Sequence, residues 1–541
     1  MEVENERTSR PGMAQHIPLL SVLMLGLFLA ILNQTLLNVA IPHLINEFGV
    51  EATTAQWLLT GYMLVNGALI PLSAFLIERF GTRRLFLAAM LFFTIGSLVC
   101  GIAPSFSVIL IGRLIQAVGG GIMMPLVMTI ILSIFPPEIR GKGMGIFGLG
   151  MMFAPAVGPT LSGWVIQNYS WRIMFYGMVP LGVLVIVLSF ILLRDTRKDQ
   201  TAKLDVWGAI TSILGVGTLL YGLSEAGTVG WSSPVVIANL VFGVIMLGVF
   251  TMLQLRSDHP MLDLRVFKYD MFTLSNIISI VLTIAMYAGM FLLPIYLQNL
   301  RGFTPLQSGL LMLPGALIMG IMSPISGTLF DRVGPRPLAI VGMLITAVTT
   351  YEFSRLTLDT SYNHILVINM IRSFGMALLM MPIMTAGMNQ LPQDKNSHGT
   401  AMSNTLRQIS GSMGISIVTT IFSMRTTFHV GKLSEQANIM DPSFSQSFQS
   451  FTTSVAGVTG MQGTQAQEAA TILLLGQLSK EASVMGINDA FFWATGFSVI
   501  ALVLSVFLRD VRKDKKQVQK VKERIALPAP ARTDEPGTAL Q

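Results

Sequence analysis

The sequence predicts an all-α polytopic membrane protein with fourteen spans, and three observations carry that prediction. Apolar residues make up 52% of the chain and charged residues 12%, about half the charge of a soluble domain. Fourteen apolar runs follow one another between residues 17 and 508, most of them near the roughly 20 residues that cross a bilayer as helix. One charged turn also occurs twice, as Ala74-Phe-Leu-Ile-Glu78-Arg79-Phe-Gly81-Thr-Arg83-Arg84 and as Gly327-Thr-Leu-Phe-Asp331-Arg332-Val-Gly334-Pro-Arg336. Each copy closes a hydrophobic run, and a turn repeated this way marks two membrane-embedded halves built by duplication.

The first run, 17–39, is too long for a signal sequence and has no small-x-small cleavage site after it. The second, 54–77, ends in the first charged turn, and 84–103 holds the single cysteine, Cys100, which excludes an intrachain disulfide. Runs 107–134, 143–166 and 172–194 complete a first half of six. Runs 206–224 and 233–254 lie between polar linkers and read as an insertion. The second half comprises 271–297, 307–330 (which ends in the second charged turn), 337–354, 362–388, 400–424 and 489–508. The organisation expected is a tail 1–16, a bundle 17–198, two extra helices in 199–268, a bundle 269–508 and a basic tail 509–541. Within the second bundle, 425–488 is rich in Ser, Gln and Thr and reads as an external helical hairpin.

The net charge of +7 does not point to nucleic acid, because its distribution follows the spans. With the N-terminus inside, Arg79, Arg83, Arg84, Arg140, Lys142, Arg332, Arg336 and the basic tail all fall on one face. That is the positive-inside bias, and it places both termini in the cytoplasm. No phosphate-binding Gly-x4-Gly-Lys-Ser/Thr loop occurs, and the six histidines form no metal-ligand spacing. An ATP-driven pump and a metalloenzyme are thereby disfavoured, and no cofactor or metal is expected.

The two turns resemble motif A of the major facilitator superfamily. Arg113-Leu-Ile-Gln116-Ala-Val-Gly119 resembles its motif B, and Gly145, Ala154, Gly158-Pro159 and Ser162-Gly163 resemble its antiporter motif C. Leu32-Asn33-Gln34-Thr35-Leu-Leu-Asn38 resembles the opening signature of the fourteen-helix drug:proton antiporter branch, lincomycin-resistance type. The resemblance implies a 6 + 2 + 6 fold and a proton-coupled exporter of amphiphilic drugs. Its expected partners are a small amphiphilic molecule, protons and the lipid bilayer, and it is expected to act as a monomer. Export of an endogenous metabolite, lipid or amino acid keeps the same fold and stays open, as does a membrane sensor that has lost transport.

Each motif also has a physical reading. Glu78 and Asp331 are placed to meet the positive N-terminal end of a neighbouring helix, with Arg79, Arg83, Arg332 and Arg336 tying the turn into a latch around Gly81 and Gly334. Arg113 lies inside an apolar run, where an arginine costs about 2.5–3.5 kcal/mol on the mildest scale, and Gln116 shares its helix face. Proton coupling and a structural arginine bonded to carbonyls both account for that pair. The small residues and prolines of motif C allow close helix approach and bending. Substrate-cavity candidates are Asn33, Gln34, Asn38, Tyr62, Phe153, Tyr287, Phe291, Arg372, Met376 and Met380. The branch commonly has Asp where Asn33 stands; Asn33 cannot titrate, so the sequence assigns no protonation site.

Overall fold

The computed structural model describes residues 17–193, 205–258, 260–436 and 442–510. The N-terminal tail, residues 511–541 and the basic residues of the first linker lie outside these. Among the described residues the chain forms sixteen α-helices and no strand. The first half contains α1 (Ile17–Phe48), α2 (Ala52–Leu69), α3 (Ser73–Phe80), α4 (Thr82–Gly101), α5 (Phe106–Ile134), α6 (Arg140–Asn168) and α7 (Arg172–Leu192). The insertion is α8 (Val206–Val229) and α9 (Pro234–Arg256). The second half contains α10 (Asp270–Ile295), α11 (Pro305–Val333), α12 (Pro335–Glu352), α13 (Tyr362–Gln390), α14 (Asn396–Gln436), α15 (Pro442–Thr459) and α16 (Thr464–Ser505).

Twelve of the described helices are long and apolar enough to cross a membrane. Taken together, α2 and α3 make a thirteenth; they meet at 58° around Pro71, whose missing N–H and ring interrupt the helical ladder. The run expected at 400–424 lies within α14, which does not meet the apolar criterion. Its composition follows from its place. α14 packs against α10, α16, α8 and α5, so Ser403, Asn404, Arg407, Gln408, Ser412 and Ser416 can face protein instead of lipid.

Glycine sets how closely the helices pack. A Cβ on Gly96 of α4 would lie 2.7 Å from the Gly112 carbonyl of α5, and one on Gly342 of α12 would lie 2.6 Å from the Gly375 carbonyl of α13. The same helix pair is therefore built twice, once in each half. The halves meet along α6 and α11, where a Cβ on Gly327 would come within 1.9 Å of the Gly141 carbonyl. With no side chain between them the two backbones touch, which is the packing small residues permit in a membrane.

The inserted pair sits beside the bundle. α8 docks on α2 and α14; Trp57 stacks on Tyr221 at 5.9 Å between ring centres, and Trp231 donates to Thr420 Oγ1 at 2.8 Å. α9 shows apolar side chains such as Val241, Val244 and Met252 on the outside, as a helix facing lipid would. Between α14 and α16 in the chain, the short α15 packs on α16. The described part of the segment expected as an external hairpin is thus helical apart from residues 460–463 between α15 and α16.

Candidate functional site

Both charged turns have the same backbone. Gly81 (φ +78°) and Gly334 (φ +89°) occupy the left-handed region, which only glycine enters without steric cost. Each ends one helix and starts the next, donating its N–H to Ile77 O and Phe330 O respectively at 2.9 Å. This geometry aims the preceding acid at the opposite half. Asp331 accepts the backbone N–H groups of Gly141 and Lys142, both at 3.0 Å, at the start of α6. Glu78 accepts the Ser397 hydroxyl at 2.8 Å and lies 3.1 Å from His398 Nε2, at the start of α14. Each half thus places a carboxylate at the positive end of a helix belonging to the other, where anions are favoured.

The first clamp extends into the linker after α9. The Asp263 N–H donates to His398 Nδ1 at 3.2 Å, and the Asp263 carboxylate pairs with Lys395 at 3.0 Å. Burial pushes the Asp263 carboxyl up, but the Lys395 and Arg265 N–H bonds outweigh burial and hold it below the usual range. The bond to Asp263 raises Lys395. Arg83 departs from the expected latch: it donates to the Phe190 carbonyl at 2.6 Å and stacks on that ring. The reason is local, since the last carbonyls of α7 lack helical partners and Phe190 O is one of them. Arg79, Arg332 and Arg336 are exposed. Arg140, read from the sequence only as a mark of the inner face, is buried and reaches across to Met388 O at 3.3 Å.

Arg113 is fully buried. It donates to Leu58 O at 3.3 Å and Gln116 Oε1 at 2.8 Å, and its guanidinium lies 4.3 Å from the Tyr62 ring centre. Gln116 passes the chain on to Ser97 at 2.7 Å. Tyr62 in turn faces Asn66 and Asn33. Among the described residues no carboxylate belongs to this network. Of the cavity candidates on α1, Asn33 is buried while Gln34 is exposed, since successive helical residues point about 100° apart. The Asn38 side chain lies outside the described residues.

Motif C places α6 between α1 and α11. Gly158 sits on Thr35 and Gly145 on Pro324, Ser162 donates to Leu36 O at 2.6 Å, and Ala154 is fully buried. Gly163 meets Leu306 at 3.7 Å, Pro159 lies inside the helix, and Phe153 packs on Phe28.

In the second half, Arg372 is buried, bonded to Ala285 O at 3.3 Å and pressed on Gly289, where a Cβ would come within 1.9 Å of it. A third interior arginine, Arg407 on α14, was not singled out from the sequence. It donates to Asn404 Oδ1 at 2.8 Å and reaches the sulfurs of Met124 and Met151 in the first half. It borders a small cavity of about 30 Å³ with Asn276, Thr283, Met380 and Met384. Met380 therefore lines this space. Tyr287 packs on Gly411, Phe291 packs into the core of the second half, and Met376 is buried on α13. The signal for Arg407 was present as a basic residue within a predicted span, but polar neighbours on every side obscured it.

Comparison with known proteins agrees with this architecture. The family model of the Major Facilitator Superfamily matches residues 23–415. The MFS-type transporter YhcA of Bacillus subtilis (strain 168) is 63% identical over 96% of this chain and 97% of its own. The lincomycin resistance protein LmrB of the same strain is 40% identical over 92% and 97%, and the multidrug export protein EmrB of Escherichia coli (strain K12) is 28% identical over 92% and 96%. Among solved structures, the human organic anion transporter MFSD10 superposes with a TM-score of 0.60 at 13% identity, covering 91% of this chain and 99% of that one, a likeness of fold alone. Duplicated halves, paired turns and relatives together lead to one conclusion: the chain is a membrane transporter belonging to the Major Facilitator Superfamily, in the branch of the lincomycin-resistance and multidrug exporters.

Proposed function

We propose that the protein is a proton-coupled antiporter that exports amphiphilic drugs across the cytoplasmic membrane by alternating access. In this reading all fourteen expected spans cross the bilayer, α14 included, and both termini and both charged turns face the cytoplasm. The observation that carries it is the reciprocal pair of clamps, Asp331 on α6 and Glu78 on α14. The hydrogen bonds joining the halves lie between this end and the bundle centre, from the clamps through Arg140 to Thr129–Thr400 at 2.7 Å. Such a set closes one end in one state and must part in the other, as alternating access requires.

The test uses everted membrane vesicles with an acidic interior, a panel including lincomycin and cationic and anionic dyes, and a readout of lumenal pH. Compound-dependent proton leakage is expected. Uptake of a compound without any proton movement would overturn the coupling, and no uptake of any compound by folded protein would overturn drug export. Arg113 is assigned to coupling: Arg113→Ala is expected to keep substrate binding and lose gradient-driven transport. Full transport by that variant would reduce Arg113 to a packing element.

A further inference from the structure

We propose that the centre of the molecule is an anion site built on Arg407, and that the carried amphiphile has a carboxylate, sulfonate or phosphate head. This rests on the exporter reading above and names its substrate class. Arg407 reaches from α14 across the boundary between the halves, yet its contacts with the first half are thioether sulfurs of Met124 and Met151. Thioethers are weak acceptors, whereas a guanidinium offers five donors in a fork that matches a carboxylate or phosphate. Its one oxygen partner here is the neutral amide of Asn404.

Among the described residues, no acid lines the cavity beside Arg407 to take the place of those sulfurs. α5, α6 and α13 contain no Asp or Glu; α10 has only Asp270, its first residue, and α14 only Glu435, its last but one. Arg113 and Arg372 add two more buried positive charges without a carboxylate among their bonds. A charge inside a membrane bundle is retained where it has a partner or a function, and here the partner is missing. A second observation points the same way. Ser275, which lines the same cavity, is 2% exposed, and its hydroxyl, like several others in the bundle, has no hydrogen-bond partner among the described residues. Ser279, Asn276 and Thr283 lie beside it, and Met380 and Met384 supply an apolar wall. An anionic head accepting from Arg407 and from the Ser275 hydroxyl, with an apolar body against the methionines, satisfies both groups. A cationic head would meet Arg407 and no acid among the residues that line the cavity.

The test is binding of three compounds with one ring system, 1-naphthaleneacetate, 2-(1-naphthyl)ethylammonium and 2-(1-naphthyl)ethanol, to the purified full chain in lipid nanodiscs. The anion is expected to bind about tenfold tighter than the neutral alcohol, the worth of one charge-assisted hydrogen bond, and the cation more weakly than either. Arg407→Gln is expected to erase the anion's advantage and Arg407→Lys to retain most of it, with melting temperatures confirming that both variants fold. Tighter binding of the cation, an anion preference unchanged in Arg407→Gln, or no binding of any of the three would overturn the site. The same compounds in everted vesicles separate the two readings. Anion bound but never accumulated would overturn export and leave the site standing. Accumulation of the cation alone would keep export and overturn the anion site.

Discussion

Single residues here are decided by contact distance more than by chemical type. Gly327 and Gly177 are both helical glycines, yet a Cβ on Gly327 would lie 1.9 Å from the Gly141 carbonyl and one on Gly177 would meet nothing within 4 Å. Gly327→Ala is therefore expected to cost about 1–3 kcal/mol, the range for overpacking, by forcing α6 from α11. Gly177→Ala is expected to be neutral or to stabilise by up to about 1 kcal/mol through helix propensity. Thermal unfolding of the two variants in detergent checks the contrast; equal losses would show that the backbones part without cost. At this scale the sequence was readable where an exception stood out. Arg113 is visible because the residues around it are apolar. Arg407 escaped because Asn404, Gln408 and Ser410 make its surroundings polar already, and no sequence pattern says that the nearest cross-half atoms are sulfur.

Elements turn these residues into a device. Replacing Asp331 by Asn keeps the shape but removes the charge facing the start of α6, an interaction of about 1–2 kcal/mol when partly buried, or a roughly 5- to 30-fold shift in a two-state equilibrium. Asp331→Asn is expected to populate the form parted at this end, with a longer distance between spin labels at the exposed Glu138 and Gln393. An unchanged distance distribution would remove Asp331 from the clamp. The Asp263–Lys395 pair beside the other clamp has a defined pH window. The lowered Asp263 contributes above its unfolded value of about 3.9 and is lost only as pH falls through its lower folded value. The raised Lys395 contributes below about 10.4 and is lost only as pH rises through its higher folded value. Between about pH 5 and 9 the pair is constant, so Lys395→Met is expected to cost the same roughly 0.5 kcal/mol at pH 6 and at pH 8. A cost that differs between the two would show another titration acting through this pair. The turns themselves were legible in sequence, down to the glycine each requires. The Arg83 contact was not, because it depends on where α7 ends in space.

Across the whole molecule, duplication is what made the fold legible. The same turn, the same close helix pair and a buried arginine in the fourth helix of each half recur, so reading one half constrained the other. What stayed hidden is α14. Its counterpart α6 passes as apolar while α14 does not, because α14 also covers the seam beside α8 and carries the central polar groups. Apolarity reports contact with lipid, and a helix enclosed by neighbours has little need of it.

α14 runs for 41 residues and α16 for 42, about 60 Å each at 1.5 Å per residue, against a hydrocarbon layer of about 30 Å. In the proposed topology roughly half of each helix stands clear of the lipid, and Arg425, His429 and Asp489 fasten the two helices together. A stiff rod rooted in one half of a rocking machine is a pointer. Small rotations inside the bundle are magnified at its tip, where an antibody fragment gripping α15 would report which way the transporter faces and, held firmly, would jam it.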